Sequence, residues 1–263
     1  YSSHVTTVSE TYAREITTAE HGCGLDGLLK TRMDEGRLTG IVNGIDDSWT
    51  SPAGAEDAGA QRIRLWKRQS AADIRKTFEL PPSRGPLFSI ISRLVHQKGI
   101  DLSIEAAETI IESGGQLVVT GRGEPRLEDA IERLARQHPK AVAARIGFDD
   151  AEARRIFAAS DFLLMPSRFE PCGLSQMYAQ RFGALPIAYR TGGLVDTIED
   201  GRSGFLFSSL TGAGLASAVT RALDAFRSKA AFRQMREHAM AKRFDWGRPT
   251  HRYADVYAKA LAA

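Results

Sequence analysis

From residue 87 onward the chain alternates short apolar runs with stretches of helical spacing. The apolar runs occupy 87–92, 116–120, 142–148, 161–166, 185–189 and 204–207. Between them, apolar positions recur at the 3.6-residue period over 101–112, 127–137, 151–159 and 174–182, which predicts helices. Strands alternating with helices predict an α/β fold with a doubly wound parallel sheet, because each parallel connection needs a crossover long enough to hold a helix. Asp101 and Asp150 stand where N-caps are expected. Past residue 207 the pattern turns helical over 215–226, 230–241 and 250–261, and these segments are expected to pack outside the sheet.

The text before residue 87 is less regular. Helix candidates lie around 12–17 and 25–33, and a sharp turn is expected at Asn43-Gly44, two residues tolerant of positive φ. Residues 51–55 and 81–86 read as connectors rich in proline and glycine. Between them, 62–68 alternates basic and apolar residues and reads as a solvated amphipathic face. No repeat of fixed period is present, and a domain boundary is placed near residue 40.

Composition narrows the class. A length of 263 residues suits roughly one to two domains. With 43% hydrophobic and 25% charged residues the chain has the mix of a globular protein, which argues against disordered and coiled-coil readings. A net charge of +3, with both signs interspersed, gives no footprint for nucleic acid or a membrane surface but suits an anionic ligand. Cys23 and Cys172, far apart in sequence, cannot make a disulfide framework or a four-ligand zinc site, and the six histidines show no ligand spacing, so no structural metal is expected. A reducing, cytoplasmic location is expected. No apolar run approaches the roughly 20 residues of a membrane span. The first residue is Tyr1 and not Met, so the chain is expected to be processed or a fragment, with fragment favoured.

In an open parallel sheet, ligands sit outside the carboxyl ends of the strands. That rule selects four loops. The first, 92–99, carries Arg93 and Lys98, able to clamp a diphosphate with a planar fork and a point charge, or else forming a solvated basic loop. The loop 166–176 brings Glu170, Cys172, Gly173, Leu174 and Ser175 to a helix expected to start near Gly173. Free amides there suit an anion. Glu170 could accept hydroxyl protons from a sugar or merely stabilise the helix end. Cys172 fits a small buried hydrophobe. Thr191, Gly192 and Gly193 form a strand-to-helix turn whose amides can cradle phosphate. Phe148, after the third strand, could stack on a base or simply pack. The Gly121-Arg122-Gly123-Glu124 turn lacks the third glycine of a dinucleotide fingerprint.

Taken in order, several segments resemble the bacterial glycogen synthases and plant starch synthases, glycosyltransferase family 5. They are Val8-Ser9-Glu10-Thr11-Tyr12-Ala13-Arg14-Glu15-Ile16, Gly40-Ile41-Val42-Asn43-Gly44-Ile45-Asp46, Ser92-Arg93-Leu94 with Gln97-Lys98-Gly99, Pro166-Ser167-Arg168-Phe169-Glu170-Pro171-Cys172-Gly173-Leu174, and Arg190-Thr191-Gly192-Gly193-Leu194. The resemblance runs through Phe244-Asp245-Trp246 to the last helix and implies a GT-B fold of two facing Rossmann-like domains. Residues 1–39 would end the amino-terminal domain and 40–86 would link to the second. Residues 87–245 would form the carboxy-terminal nucleotide-sugar domain, and 246–263 a terminal helix crossing back.

The resemblance further implies transfer of glucose from ADP-glucose to the non-reducing end of an α-1,4-glucan with retention, ADP-glucose being substrate and no cofactor being needed. Arg93 and Lys98 would contact the donor pyrophosphate, Glu170 would position the glucose, and 172–175 would line the sugar-phosphate site. Phe148 falls where the family often has a tyrosine against the adenine. The family's amino-terminal lysine-glycine donor loop and sugar-contacting histidine are absent, so most of the first domain is expected to lie outside this chain, leaving the chain inactive by itself. Tyr178 stands where many other retaining GT-B enzymes have a second glutamate, which favours the synthases. The alternatives are a retaining GT-B enzyme using a UDP- or GDP-sugar and a noncatalytic nucleotide-binding module.

Overall fold

The computed structural model describes residues 2–49 and 59–261. The connector expected at 51–55 lies outside the described residues. A small amino-terminal unit holds β1 (Val5–Thr7), α1 (Glu10–Glu15), α2 (Asp26–Asp34) and β2 (Leu38–Gly40), with β1 and β2 paired in parallel. The sheet that follows contains β3 (Leu87–Ile91), β4 (Gln116–Gly121), β5 (Val142–Ile146), β6 (Phe162–Met165), β7 (Leu185–Tyr189) and β8 (Phe205–Phe207). Its order is β5-β4-β3-β6-β7-β8 and every pairing is parallel. The expected doubly wound sheet is therefore present.

Helices cover both faces because the strands bury alternate residues on each. Phe88, Ile90, Leu117, Val119, Phe162 and Leu164 face a core shared with α4 (Ile100–Glu112), α5 (Pro125–Gln137), α9 (Gly212–Arg227) and α10 (Lys229–Ala241). Leu87, Ile91, Val118, Leu163 and Ala188 face the opposite core, closed by α3 (Ala60–Thr77), α6 (Asp150–Ala159), α7 (Ser175–Arg181) and α8 (Gly192–Thr197). Strands buried on both sides are the expected state of a parallel sheet, and explain their near-continuous apolar text. The last helix, α11 (Gly247–Leu261), touches the amino-terminal unit through the Arg252–Glu10 ion pair.

Local punctuation differs from expectation at several points. Asp101 is not an N-cap: α4 is entered through Gly99, with φ 67°, and Asp101 sits in its first turn, paired with Arg168. The cap of α6 is Asp149, whose side chain accepts from the Glu152 amide, and Asp150 is the first helical residue. No sharp turn forms at Asn43-Gly44, where neither residue has positive φ. Gly44 instead admits Trp246, whose Cγ would lie 2.7 Å from an added Cβ.

The segment 62–68 belongs to the 18-residue α3, and its expected solvated basic face is interrupted by Lys67, only 4% exposed. Its Nζ donates to the carbonyls of Phe157 (3.2 Å), Ser160 (2.5 Å) and Phe182 (3.0 Å), at the carboxyl ends of α6 and α7. Those are carbonyls that a helix end leaves without an intrahelical partner.

Candidate active site

The chain leaves β3 outward to β4 and β5, then crosses back to place β6 beside β3. Connections on the two sides of this junction run in opposite directions, so their loops part and leave a crevice at the carboxyl ends of β3 and β6. The loop after β3 carries Arg93 and Lys98, and the loop after β6 carries Glu170. Topology thus brings together three residues separated in sequence.

Lys98 Nζ lies 2.5 Å from Glu170 Oε2, with the lysine side chain 18% exposed and Glu170 6% exposed. The same oxygen accepts from buried Ser167 Oγ at 3.0 Å. Burying a carboxyl group so far from water is costly unless it is paired and hydrogen-bonded in this way. Arg93 donates to Gln97 Oε1 at 3.2 Å, and Gln97 in turn donates to the Phe169 carbonyl at 2.6 Å. Arg168 closes the join, donating to the His96 carbonyl (2.6 Å) and to both Asp101 carboxylate oxygens (2.9 and 2.7 Å). That fork holds the Asp101 carboxyl below the usual aspartate range, chiefly through its hydrogen bonds. Arg168 and Gln97 were named only within motifs by sequence reasoning. Their sequence gave no clue to partners some 70 positions away.

Beyond Glu170 the chain turns through Gly173, at φ 70°, before α7 starts at Ser175, two residues later than expected. The amides of Gly173, Leu174 and Ser175 donate to no group among the described residues. They are the free donors that the loop was expected to offer. Cys172 is buried beside Ile45 and Met177, and burial pushes its thiol up from the ordinary value, fitting a packing residue. Phe148 follows β5 on the same end of the sheet and is 66% exposed, so it does not pack into the core. Tyr178 stacks on Trp49, ring centroids 3.9 Å apart, and serves the core there.

The Thr191-Gly192-Gly193 turn differs from the expected open cradle. Its donors are occupied: Thr191 Oγ1 and the Gly192 amide both donate to the Glu15 carboxylate, the latter at 2.8 Å, and the Gly193 amide donates to the Glu170 carbonyl at 3.0 Å. The glycines are needed for contact, since a Cβ at Gly192 would lie 1.9 Å from the Glu170 carbonyl oxygen. The turn therefore fixes the backbone of Glu170. Thr11 also joins this end, its hydroxyl donating to Asp196 at 2.6 Å. Glu15 lies 176 positions from Thr191 and only the fold reveals the connection.

Residues 85–225, more than half the chain, match the family described as glycosyl transferases group 1. The chain belongs to this family. Residues 1–31 also match the starch synthase catalytic domain family. It is 55% identical over its whole length to glycogen synthase 1 of Bradyrhizobium diazoefficiens, covering 57% of that protein. It is 52% identical over its whole length to glycogen synthase of Pseudomonas fluorescens, covering 51%. The chain thus spans about half the length of the curated relatives it matches. Among solved structures, it is similar over its whole length to the catalytic domain of Arabidopsis thaliana starch synthase IV bound to ADP and acarbose, with TM-score 0.90, 35% identity and 57% of that chain covered. The architecture is that of a GT-B glycosyltransferase, as the sequence led one to expect. Among the described residues, no helix is long and apolar enough to cross a membrane and no cluster of metal-ligating residues occurs.

Proposed function

We propose that this chain supplies the donor-binding half of a cytoplasmic glycogen synthase, which moves glucose from ADP-glucose to the non-reducing end of an α-1,4-glucan with retention. The observation that carries the proposal is the Lys98–Glu170 pair at the β3/β6 crevice with Arg93 on the same loop. Support comes from relatives named glycogen synthase and from the ADP-bound starch synthase of the same fold.

Lys98 and Glu170 face each other across the crevice as an ion pair. Donor entry exchanges partners: Lys98 and Arg93 turn to the diphosphate, and the freed carboxylate accepts hydrogen bonds from the glucose hydroxyls. As the glycosidic bond to the diphosphate breaks, negative charge grows on the leaving group and positive charge on the sugar. The two cations and the free amides of 173–175 face the first, and Glu170 the second. Groups aimed at charge that develops only during the reaction lower the barrier more than they tighten binding. Exposed Phe148 offers a flat face to the adenine. Thr191, Gly192 and Gly193 act through the backbone of Glu170.

The test joins this chain to the amino-terminal part of the Bradyrhizobium relative that it does not cover, and measures label transfer to glycogen from ADP-glucose, UDP-glucose and GDP-glucose. Transfer from ADP-glucose well above the other two is expected. Preference for UDP-glucose or GDP-glucose would overturn the donor assignment. Binding of ADP without transfer from any donor would favour a noncatalytic nucleotide-binding module.

A further inference from the structure

At the opposite end of the sheet, where the strands begin, α3, the 81–86 segment and the start of α10 enclose a cavity of about 970 Å³. Its lining is strongly basic. Arg64, Arg68, Lys76, Arg84 and Lys229 line it and form no ion pair with any described residue. The one acidic group of the lining, Asp161, is already engaged by Arg236 at 2.7 Å and by the Leu87 amide at 2.9 Å. Five cations without a paired carboxylate thus share one concavity.

The floor is rigid. Arg75, buried, donates to Gln116 Oε1 at 2.6 Å and to the Gly85 carbonyl at 3.1 Å, and Arg236 donates to the Gly183 carbonyl at 2.9 Å. Half-buried Phe226 adds apolar surface beside Lys229, whose Nζ lies 4.4 Å from its ring centroid. Charges of one sign in a walled cleft reinforce each other's field, and guanidinium forks suit phosphate oxygens. The volume exceeds that of a bare phosphate and falls in the range of small-molecule sites.

We propose that this groove binds a phosphate-bearing small molecule with an uncharged ring, at a site separate from the donor crevice. The phosphate engages Arg68 and Arg84, while the ring lies against the exposed part of Phe226. The site stands on the opposite end of the sheet from Lys98 and Glu170, and its assignment is independent of the transferase reading.

The test titrates inorganic pyrophosphate and a hexose monophosphate calorimetrically into the chain carrying Lys98→Ala, which weakens anion binding at the crevice. Saturable binding is expected, weakening about tenfold or more when Arg68→Gln and Arg84→Gln are added, as loss of charged hydrogen bonds implies. Both arginines are exposed, so circular dichroism should be unchanged, and exposed Lys229→Gln provides an independent second variant. A tighter hexose phosphate would place the ring in the groove. Unaltered affinity in the arginine variant, or no saturable binding of either anion, would overturn the proposal. So would binding of a short oligonucleotide through the same arginines with both small anions failing, because the groove would then serve a polyanion.

Discussion

Two lysines are withdrawn from solvent at opposite ends of one sheet, and their partners differ. Lys98 meets a single carboxylate on a neighbouring loop, with part of its side chain still reached by water. Lys67 meets three main-chain carbonyls belonging to the ends of two helices. A carboxylate on a side chain can exchange its partner when an anion arrives. Carbonyls built into helix ends cannot leave without unfolding the helices. Lys98 is therefore suited to binding, and Lys67 ties α3 to α6 and α7. Burial of a charged residue does not by itself distinguish a site from a scaffold; the freedom of its partner does.

The largest effect that would sharpen this contrast is expected at Lys67. Lys67→Met keeps the apolar stem but strands three buried carbonyls, each costing about 1 to 3 kcal/mol when unsatisfied. A loss of about 3 kcal/mol or more is expected in denaturant titration, and a change within about 0.5 kcal/mol would break the scaffold reading. Burial lowers the Lys67 pKa well below its ordinary value. Between that lowered value and the ordinary one, the unfolded chain holds more protons than the folded one. The contribution of this site to stability therefore rises with pH across that window, and the slope should vanish in the methionine variant.

Next comes Lys98→Ala in the joined enzyme, where turnover should fall by about 10² or more. The single change also strands the buried Glu170 carboxylate. Adding Glu170→Gln should restore the thermal midpoint while leaving turnover low, since a buried pair removed together costs less than one partner removed alone. Recovery of turnover in the double variant would show that Lys98 serves only to neutralise Glu170.

A smaller effect is expected at Glu15, which holds the turn behind Glu170. Glu15→Gln keeps an acceptor but loses the charge that strengthens its bonds to Thr191 and Gly192, for about 1 kcal/mol of stability. If the turn positions Glu170, kcat should fall more than the donor KM rises; a stability loss with unchanged kinetics would confine Glu15 to packing. The smallest effect concerns Asp101. Its folded pKa lies below the ordinary value, so its stabilisation is present above the ordinary aspartate range and is lost as pH falls through the folded pKa. Thermal midpoints of the parent and Asp101→Asn proteins should converge as the pH drops through that interval, and a constant gap would exclude the Arg168 pair as its source.

Sequence by itself determined the alternating elements and the parallel sheet, and it marked the loops that the structure places at the carboxyl ends of the strands. Its periodic signals come from burial repeated along a segment, so β7 was legible residue for residue and every strand of the main sheet was found. Family-like motifs also marked Arg93, Lys98 and Glu170 individually. Tertiary structure alone decided who faces whom. The Lys98–Glu170 pair spans 72 positions and the Glu15–Gly192 bond 177, distances over which no local pattern operates. The short β1 and β2 carried too few residues to display a period and became visible only through their mutual pairing. Lys67 misled for the same reason: basic residues along an amphipathic helix ordinarily face water, and one of them turns inward only because two other helices end there with carbonyls to satisfy.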